Sequence, residues 1–244
     1  MRYRALVFDL FRTVLLYTPD APTGKVTEPN WRTAMRALAP RFAELLPGFA
    51  FDDFLDALFA VSGEIGRTRA PEYVDVPIAE RYRRAVVRLG HDRPDTASIA
   101  TELCALQLDA QSANAYLPPE HGTLLDELAG HGPLALVSNF DDGPMVRDLI
   151  AREGVDRRFS TVLISIDFGR RKPHPLIFNE ALHRVGVSPQ EALFIGDSLS
   201  EDIAGAQSVG MDTAWVNRSG KKRREGSAVP TYTIAELGEL RGIV

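Results

Sequence analysis

Five short runs of this chain are apolar without alternation: Ala5–Leu10, Leu134–Ser138, Thr161–Ile166, Ala192–Gly196 and Thr213–Val216. A strand with one wet face alternates apolar and polar side chains. A strand covered on both faces does not, so runs of this kind belong to a parallel sheet with helices on either side. The segments between the last four runs carry the complementary pattern. In Pro175–Val185 the residues Phe178, Ala181, Leu182 and Val185 fall at i, i+3, i+4 and i+7, one stripe of a helix. Pro175 suits its first turn and Gly186 its stop. Strand alternating with helix predicts an α/β fold on a parallel five-stranded sheet with right-handed crossovers.

The first run stands apart from the second, and the chain between them reads as helices. Four apolar stripes mark them: Trp31, Ala34, Met35 and Leu38; Phe51, Phe54, Leu55 and Leu58; Tyr82, Ala85, Val86 and Leu89; Ile99, Leu103 and Leu106. This predicts an all-helical domain over 16–117, inserted into an α/β domain formed by 1–15 and 118–244.

Composition narrows the function classes. With 28 Lys and Arg against 33 Asp and Glu, the net charge is −5, which gives no electrostatic footprint for nucleic acid or an anionic membrane. No apolar stretch approaches the ~20 residues of a spanning helix. Arg2 and Arg4 followed by Ala5–Phe8 begin like a signal peptide, but Asp9 and Arg12 break the run and no small-residue cleavage site follows. The one cysteine, Cys104, lies on a helical stripe, excludes an intrachain disulfide and fits a reducing compartment. A cytoplasmic protein, monomer or homodimer, is expected, acting on a small anionic molecule with no nucleic-acid or membrane partner.

Ligands of an open parallel sheet bind at the carboxyl ends of its strands. The first run ends in Asp9, the second in Ser138-Asn139, and the fourth in Gly196-Asp197 with Glu201 and Asp202 close behind. Lys172 lies in the loop after the third. Carboxylates gathered with one ammonium repel unless a cation joins them, and oxygen ligands select a hard ion, most simply Mg²⁺. Singly, each residue also reads as a cap or turn; jointly, in order and at strand ends, they point to a site. The histidines show no metal-ligand spacing, and Lys221–Arg224 reads as an exposed loop.

Four segments in order, 7–14 (VFDLFRTV), 134–139 (LALVSN), 171–178 (RKPHPLIF) and 196–211 (GDSLSEDIAGAQSVGM), resemble the motifs of the haloacid dehalogenase-like hydrolases that carry a helical cap after the first strand. The resemblance implies a Rossmann-like core and a set of roles. Asp9 matches the nucleophile, Thr13 the support of its loop, and Ser138 the phosphoryl-binding hydroxyl, with Asn139 beside it. Lys172 matches the lysine that neutralises nucleophile and transferring group. Asp9, Asp197 and the carbonyl of Phe11 match metal ligands, and Asp202 a supporting carboxylate. A Mg²⁺-dependent phosphatase working through an aspartyl-phosphate follows.

Two positions depart from the pattern. Phosphatases of the family carry a second Asp two residues after the nucleophile as general acid and base, help worth roughly 10²–10⁴ in rate. This chain has Phe11 there. Dehalogenases of the family carry an aromatic residue at that place, but do not use Mg²⁺ and lack the Gly-Asp-x-x-x-x-Asp pattern of 196–202. A dehalogenase and a non-catalytic ligand binder are the alternatives. Arg12 stands where Gly is usual, either adding positive charge near a substrate anion or facing solvent.

Overall fold

The structure, a computed structural model, describes residues 2–18 and 35–244. The stripe that begins at Trp31 and Ala34 falls partly outside them; its Met35 and Leu38 are buried at the start of the helical region. Eight strands are present among the described residues: β1 (Ala5–Phe8), β2 (Leu16–Tyr17), β3 (Ala115–Tyr116), β4 (Leu134–Ser138), β5 (Thr161–Ile164), β6 (Ala192–Gly196), β7 (Asp212–Val216) and β8 (Tyr232–Ile234). β2 and β3 pair with each other. The other six form one parallel sheet in the order β5-β4-β1-β6-β7-β8.

The chain divides into two compact units. One comprises residues 1–16, 71–75 and 116–244; the other comprises 17–70 and 76–115. In the first, β1 lies between β4 and β6, with Val7 opposite Ala135 and Phe194. Its four residues are buried, as continuous apolarity requires. The helix Pro175–Val185 packs Ile177, Phe178, Ala181 and Leu182 onto Val137, Leu163 and Phe194.

The sheet has six strands rather than the expected five. β8 escaped the pattern because it is three residues long and sits at the edge, with only Ile234 buried. An edge strand need not be apolar on both faces. The third strand is also shorter than the run Thr161–Ile166, because the chain turns into a single helical turn at Ser165–Phe168.

The second unit holds the helices Ala39–Leu45, Phe51–Thr68, Ile78–Arg88 and Thr96–Ala113. Its centre is aromatic. Phe54 lies 5.0 Å from Phe42 and 5.8 Å from Tyr82 between ring centroids. The buried Tyr82 hydroxyl donates to Gln107, so the polar end of the ring is satisfied.

Gly205 shows how tightly the α/β unit is packed within the segment 196–211. A Cβ there would meet the Phe178 ring at 2.5 Å and the Pro173 backbone at 3.0 Å. Overpacking costs about 1–3 kcal/mol, against a helical gain over glycine of roughly 0.5–1 kcal/mol. Gly205→Ala should therefore lower the urea unfolding midpoint. An unchanged or higher midpoint would mean that the Phe178 ring yields freely.

Candidate active site

Asp9 follows β1, and its amide still donates to the Ile195 carbonyl of β6 at 2.9 Å. The ladder thus holds the backbone of Asp9 at the carboxyl edge of the sheet. Lys172, 1% exposed, comes from the loop after β5. Its Nζ donates to Asp9 Oδ1 at 2.6 Å and to the Val137 carbonyl at 2.8 Å, and lies 2.8 Å from Asp202 Oδ1. Three oxygens meet the three donors of an ammonium. Burial alone would push Lys172 down; Asp202 and Asp9 outweigh it and hold the group above the usual lysine range, so it stays charged.

Asp9, Asp197 and Asp202 each present a carboxylate oxygen within 4.8 Å of the others. Asp202 is placed by a turn that starts after β6: the Ser198 amide donates to its Oδ2 at 2.9 Å. Gly196 makes room for it, since a Cβ there would strike the Asp202 carboxylate at 2.4 Å. Three carboxylates against one ammonium leave excess negative charge. Burial pushes the Asp202 carboxyl up; Lys172 pulls it back, Asp9 and Asp197 push it further, and the result is about 7. A hard divalent cation is what such a donor set fits: oxygen ligands only, with negative charge to spare.

Two hydroxyls complete the arrangement. Thr13 Oγ1 and Ser138 Oγ are buried and have no hydrogen-bond partner among the described residues. An unpaired buried hydroxyl costs about 1–3 kcal/mol. Thr13 lies in the loop that leaves β1 and Ser138 is the last residue of β4, the adjacent strand. An anion bound beside Asp9 would supply the missing acceptors. Phe11 and Phe140, half-buried, bring their rings to 5.1 Å on the loops that follow these two strands.

Asn139, expected beside the phosphoryl-binding hydroxyl, holds the backbone of the lysine. Its Oδ1 accepts from the Lys172 amide at 2.8 Å and its Nδ2 donates to the Lys172 carbonyl at 2.9 Å. Arg12, half-buried, adopts φ +66°, the left-handed region that glycine occupies without strain. For a side-chain-bearing residue this costs roughly 1–2 kcal/mol, so the surroundings must hold the turn. The structure shows this backbone conformation of Arg12.

Sequence reasoning missed a buried network beside Lys172. Arg171 donates from Nη1 to Asp75 Oδ1 at 2.6 Å and to Asp141 Oδ1 at 3.1 Å, and the Ser165 hydroxyl donates to Asp75. The Arg171 amide donates to the Tyr73 carbonyl at 2.9 Å. The segment 71–75 is thereby tied to the residue that precedes the site lysine. Its one sequence signal was Arg171 beside Lys172: two adjacent cations before a proline need anionic partners if buried.

The buried Asp202 makes stability depend on pH. Its ordinary value is 3.8 and here it titrates near 7. Between those values the folded protein holds a proton that the unfolded chain has released. One component of stability therefore declines as pH rises through that window. In Asp202→Asn this component is absent. Urea midpoints measured with chelator between pH 4 and 8 should decline more steeply in wild type than in the variant. Parallel profiles would show that Asp202 ionises normally.

The parallel sheet thus carries an aspartate after its first strand, a buried lysine and a second acidic loop after its fourth core strand, at its carboxyl edge. Residues 3–210 match the family model of the haloacid dehalogenase-like hydrolases, and the chain belongs to that family. It is 31% identical to a glyceraldehyde 3-phosphate phosphatase of Methanopyrus kandleri, over 99% of this chain and 97% of the relative. It is 35% identical to a phosphoserine phosphatase of Thermus thermophilus, over 98% and 83%. Among solved structures, a 2-haloacid dehalogenase from Pseudomonas syringae pv. Tomato DC3000 superimposes with TM-score 0.74 at 25% identity, covering 99% of this chain and 97% of that one. The HAD-hydrolase YfnB from Bacillus subtilis, bound to magnesium, matches with TM-score 0.67 at 25% identity over 100% and 99%. No helix among the described residues is long and apolar enough to cross a membrane.

Proposed function

We propose that this hydrolase is a Mg²⁺-dependent phosphatase of a small phosphate monoester, with Asp9 as nucleophile. The observation that carries this reading is the cluster of Asp9, Asp197 and Asp202, with the Lys172 ammonium on Asp9 and Asp202, together with the partnerless hydroxyls of Thr13 and Ser138. Relatives covering nearly the whole chain are phosphatases, which supports it. The lone buried cysteine, Cys104, supports a reducing compartment such as the cytoplasm.

Asp9 attacks phosphorus, the bond to the leaving oxygen breaks, and the phosphoryl group resides on the Asp9 carboxylate until water removes it. Lys172 stays protonated and balances charge on Asp9 and on the transferring group. The hydroxyls of Ser138 and Thr13 donate to phosphoryl oxygens and fix their orientation. Asp9, Asp197 and the Phe11 carbonyl would hold Mg²⁺ with Asp202 in support, and the ion when bound would neutralise charge on phosphoryl oxygens. Turnover on a panel of phosphate esters should vanish with chelator and return with Mg²⁺. Asp9→Asn should abolish it in a protein that still unfolds cooperatively. Halide release from 2-haloacids that ignores chelator, with no phosphate released, would establish the dehalogenase reading that Phe11 favours.

Phe11 has no proton to give, so the leaving group must depart as an anion or find a proton elsewhere. Aryl phosphates should be hydrolysed much faster than alkyl phosphates, and Phe11→Asp should narrow that gap, by up to roughly 10²-fold. A leaving-group series with saturating Mg²⁺ measures this. A flat series in wild type would mean that another residue already donates the proton.

A further inference from the structure

Three consecutive carbonyls of the nucleophile loop are held by two side chains from distant parts of the chain. Arg218, in the turn after β7, donates from Nη1 to the Arg12 carbonyl and from Nη2 to the Thr13 carbonyl at 3.3 Å. His121, in the helix Pro119–Ala129, bonds through Nδ1 to the Val14 carbonyl at 2.8 Å. A carbonyl only accepts, so Nδ1 carries the hydrogen. Burial pushes the His121 imidazole below its ordinary range and the Arg218 guanidinium adds to this, so a neutral ring with hydrogen on Nδ1 is the stable form. Glu236, after β8, lies 3.4 Å from Arg218 Nε and steadies the guanidinium.

The loop also bonds within itself. Arg12 N donates to Leu15 O at 2.7 Å, and the amides of Val14 and Leu15 both donate to Leu10 O, at 2.9 and 2.8 Å. That ring holds the 13–14 and 14–15 peptides by their amides; Arg218 and His121 hold the same two peptides by their carbonyls, and Arg218 holds the 12–13 peptide as well. The turn also contains the strained Arg12, and strain persists only where surrounding structure over-determines it. On the same turn sits the Thr13 hydroxyl, with Asp9 and Phe11 just before it. Rotating these peptide planes would move the Thr13 side chain relative to Asp9.

We propose that Arg218 and His121 are positioning residues of the reaction: they clamp the carbonyls of Arg12, Thr13 and Val14 so that Asp9 and the Thr13 hydroxyl hold their attack geometry. Neither touches the reacting atoms. The second acidic loop is held in the same manner from the strand that precedes Arg218, since Trp215 Nε1 of β7 donates to the Asp197 carbonyl at 3.0 Å. The end of β7 and the turn after it thus fix the backbone of both acidic loops. The kinetic consequence rests on the phosphatase reading; the clamp itself does not.

The test uses Arg218→Ala, Arg218→Lys, His121→Leu and His121→Asn in the full chain. A misplacement of about 1 Å can cost 10²-fold, so Arg218→Ala should lower kcat on an aryl phosphate by roughly 10- to 100-fold with KM within about two-fold of wild type. Added guanidinium should restore part of that kcat, and Arg218→Lys, with one compact donor group, should fall between. His121→Leu should behave like Arg218→Ala, and His121→Asn, whose amide replaces Nδ1, should recover activity. Amide exchange followed by mass spectrometry should quicken in residues 10–16 in Arg218→Ala and His121→Leu and stay unchanged in β5. A rise in KM with kcat unchanged would make Arg218 a substrate-binding group and overturn the proposal. So would a loss of kcat with unaltered exchange in 10–16. If Arg218→Ala fails to fold, Arg218→Lys carries the same exchange test. If wild type hydrolyses no phosphate ester, the phosphatase reading fails and the exchange data alone decide the clamp.

Discussion

The ammonium of Lys172 is the interaction on which the site depends. It is buried, it is charged, and it touches two carboxylates and a strand-end carbonyl from three different elements. A buried charge is tolerated only when paired and hydrogen-bonded, and removing one partner of such a set costs about 3–5 kcal/mol. Asp9 comes from the end of β1, Val137 from β4 and Asp202 from the turn after β6, so one side chain registers three adjacent strands at their carboxyl ends. The rest of the site serves that registration. Asn139 grips the lysine's peptide groups on both sides, and Arg171 is locked to Asp75 and Asp141 immediately before it.

What the sequence made legible follows from what is local. Continuous apolar runs locate buried strands because burial on both faces leaves no alternation, and residues at their ends mark the sheet edge where ligands gather. Asp9, Ser138, Lys172, Asp197 and Asp202 were readable for that reason. The three-residue edge strand Tyr232–Ile234 was not, since its pairing to β7 is made by backbone and needs no apolar run. Asp75, Arg218 and His121 were not, because each acts through contacts to a segment remote in the chain. His121 was judged only for metal spacing, whereas its role is to donate a hydrogen bond to a carbonyl at position 14.

Arg12 shows the two kinds of information meeting. A side chain where glycine is usual read as tolerance of the backbone or as an added charge near an anion. The structure puts the residue at φ +66°, so the conformation is the one glycine would adopt and the strain is accepted. The price is met by Arg218, which holds the carbonyls of residues 12 and 13. A residue other than glycine narrows the conformations open to the loop. For a nucleophile that must meet phosphorus in line, that narrowing is the useful property.

Charge balance is what separates the two readings of position 11. Three clustered carboxylates carry −3 when ionised; Lys172 returns +1, and a divalent cation would bring the total to zero. A fourth carboxylate at position 11 would be driven to hold a proton, which is how a general acid is made. Phe11 forgoes that acid but leaves the balance of the remaining groups intact. Displacement of a halide from carbon needs neither a proton donor nor a cation. In that displacement Asp197 and Asp202 would hold no cation, and Asp202 is fully buried and pushed far from its ordinary range. A buried acid beside two other carboxylates weakens a fold, so the cluster favours chemistry that uses the cation it fits. The aromatic residue then bears on which leaving groups are fast, while the acidic cluster bears on which bond is broken.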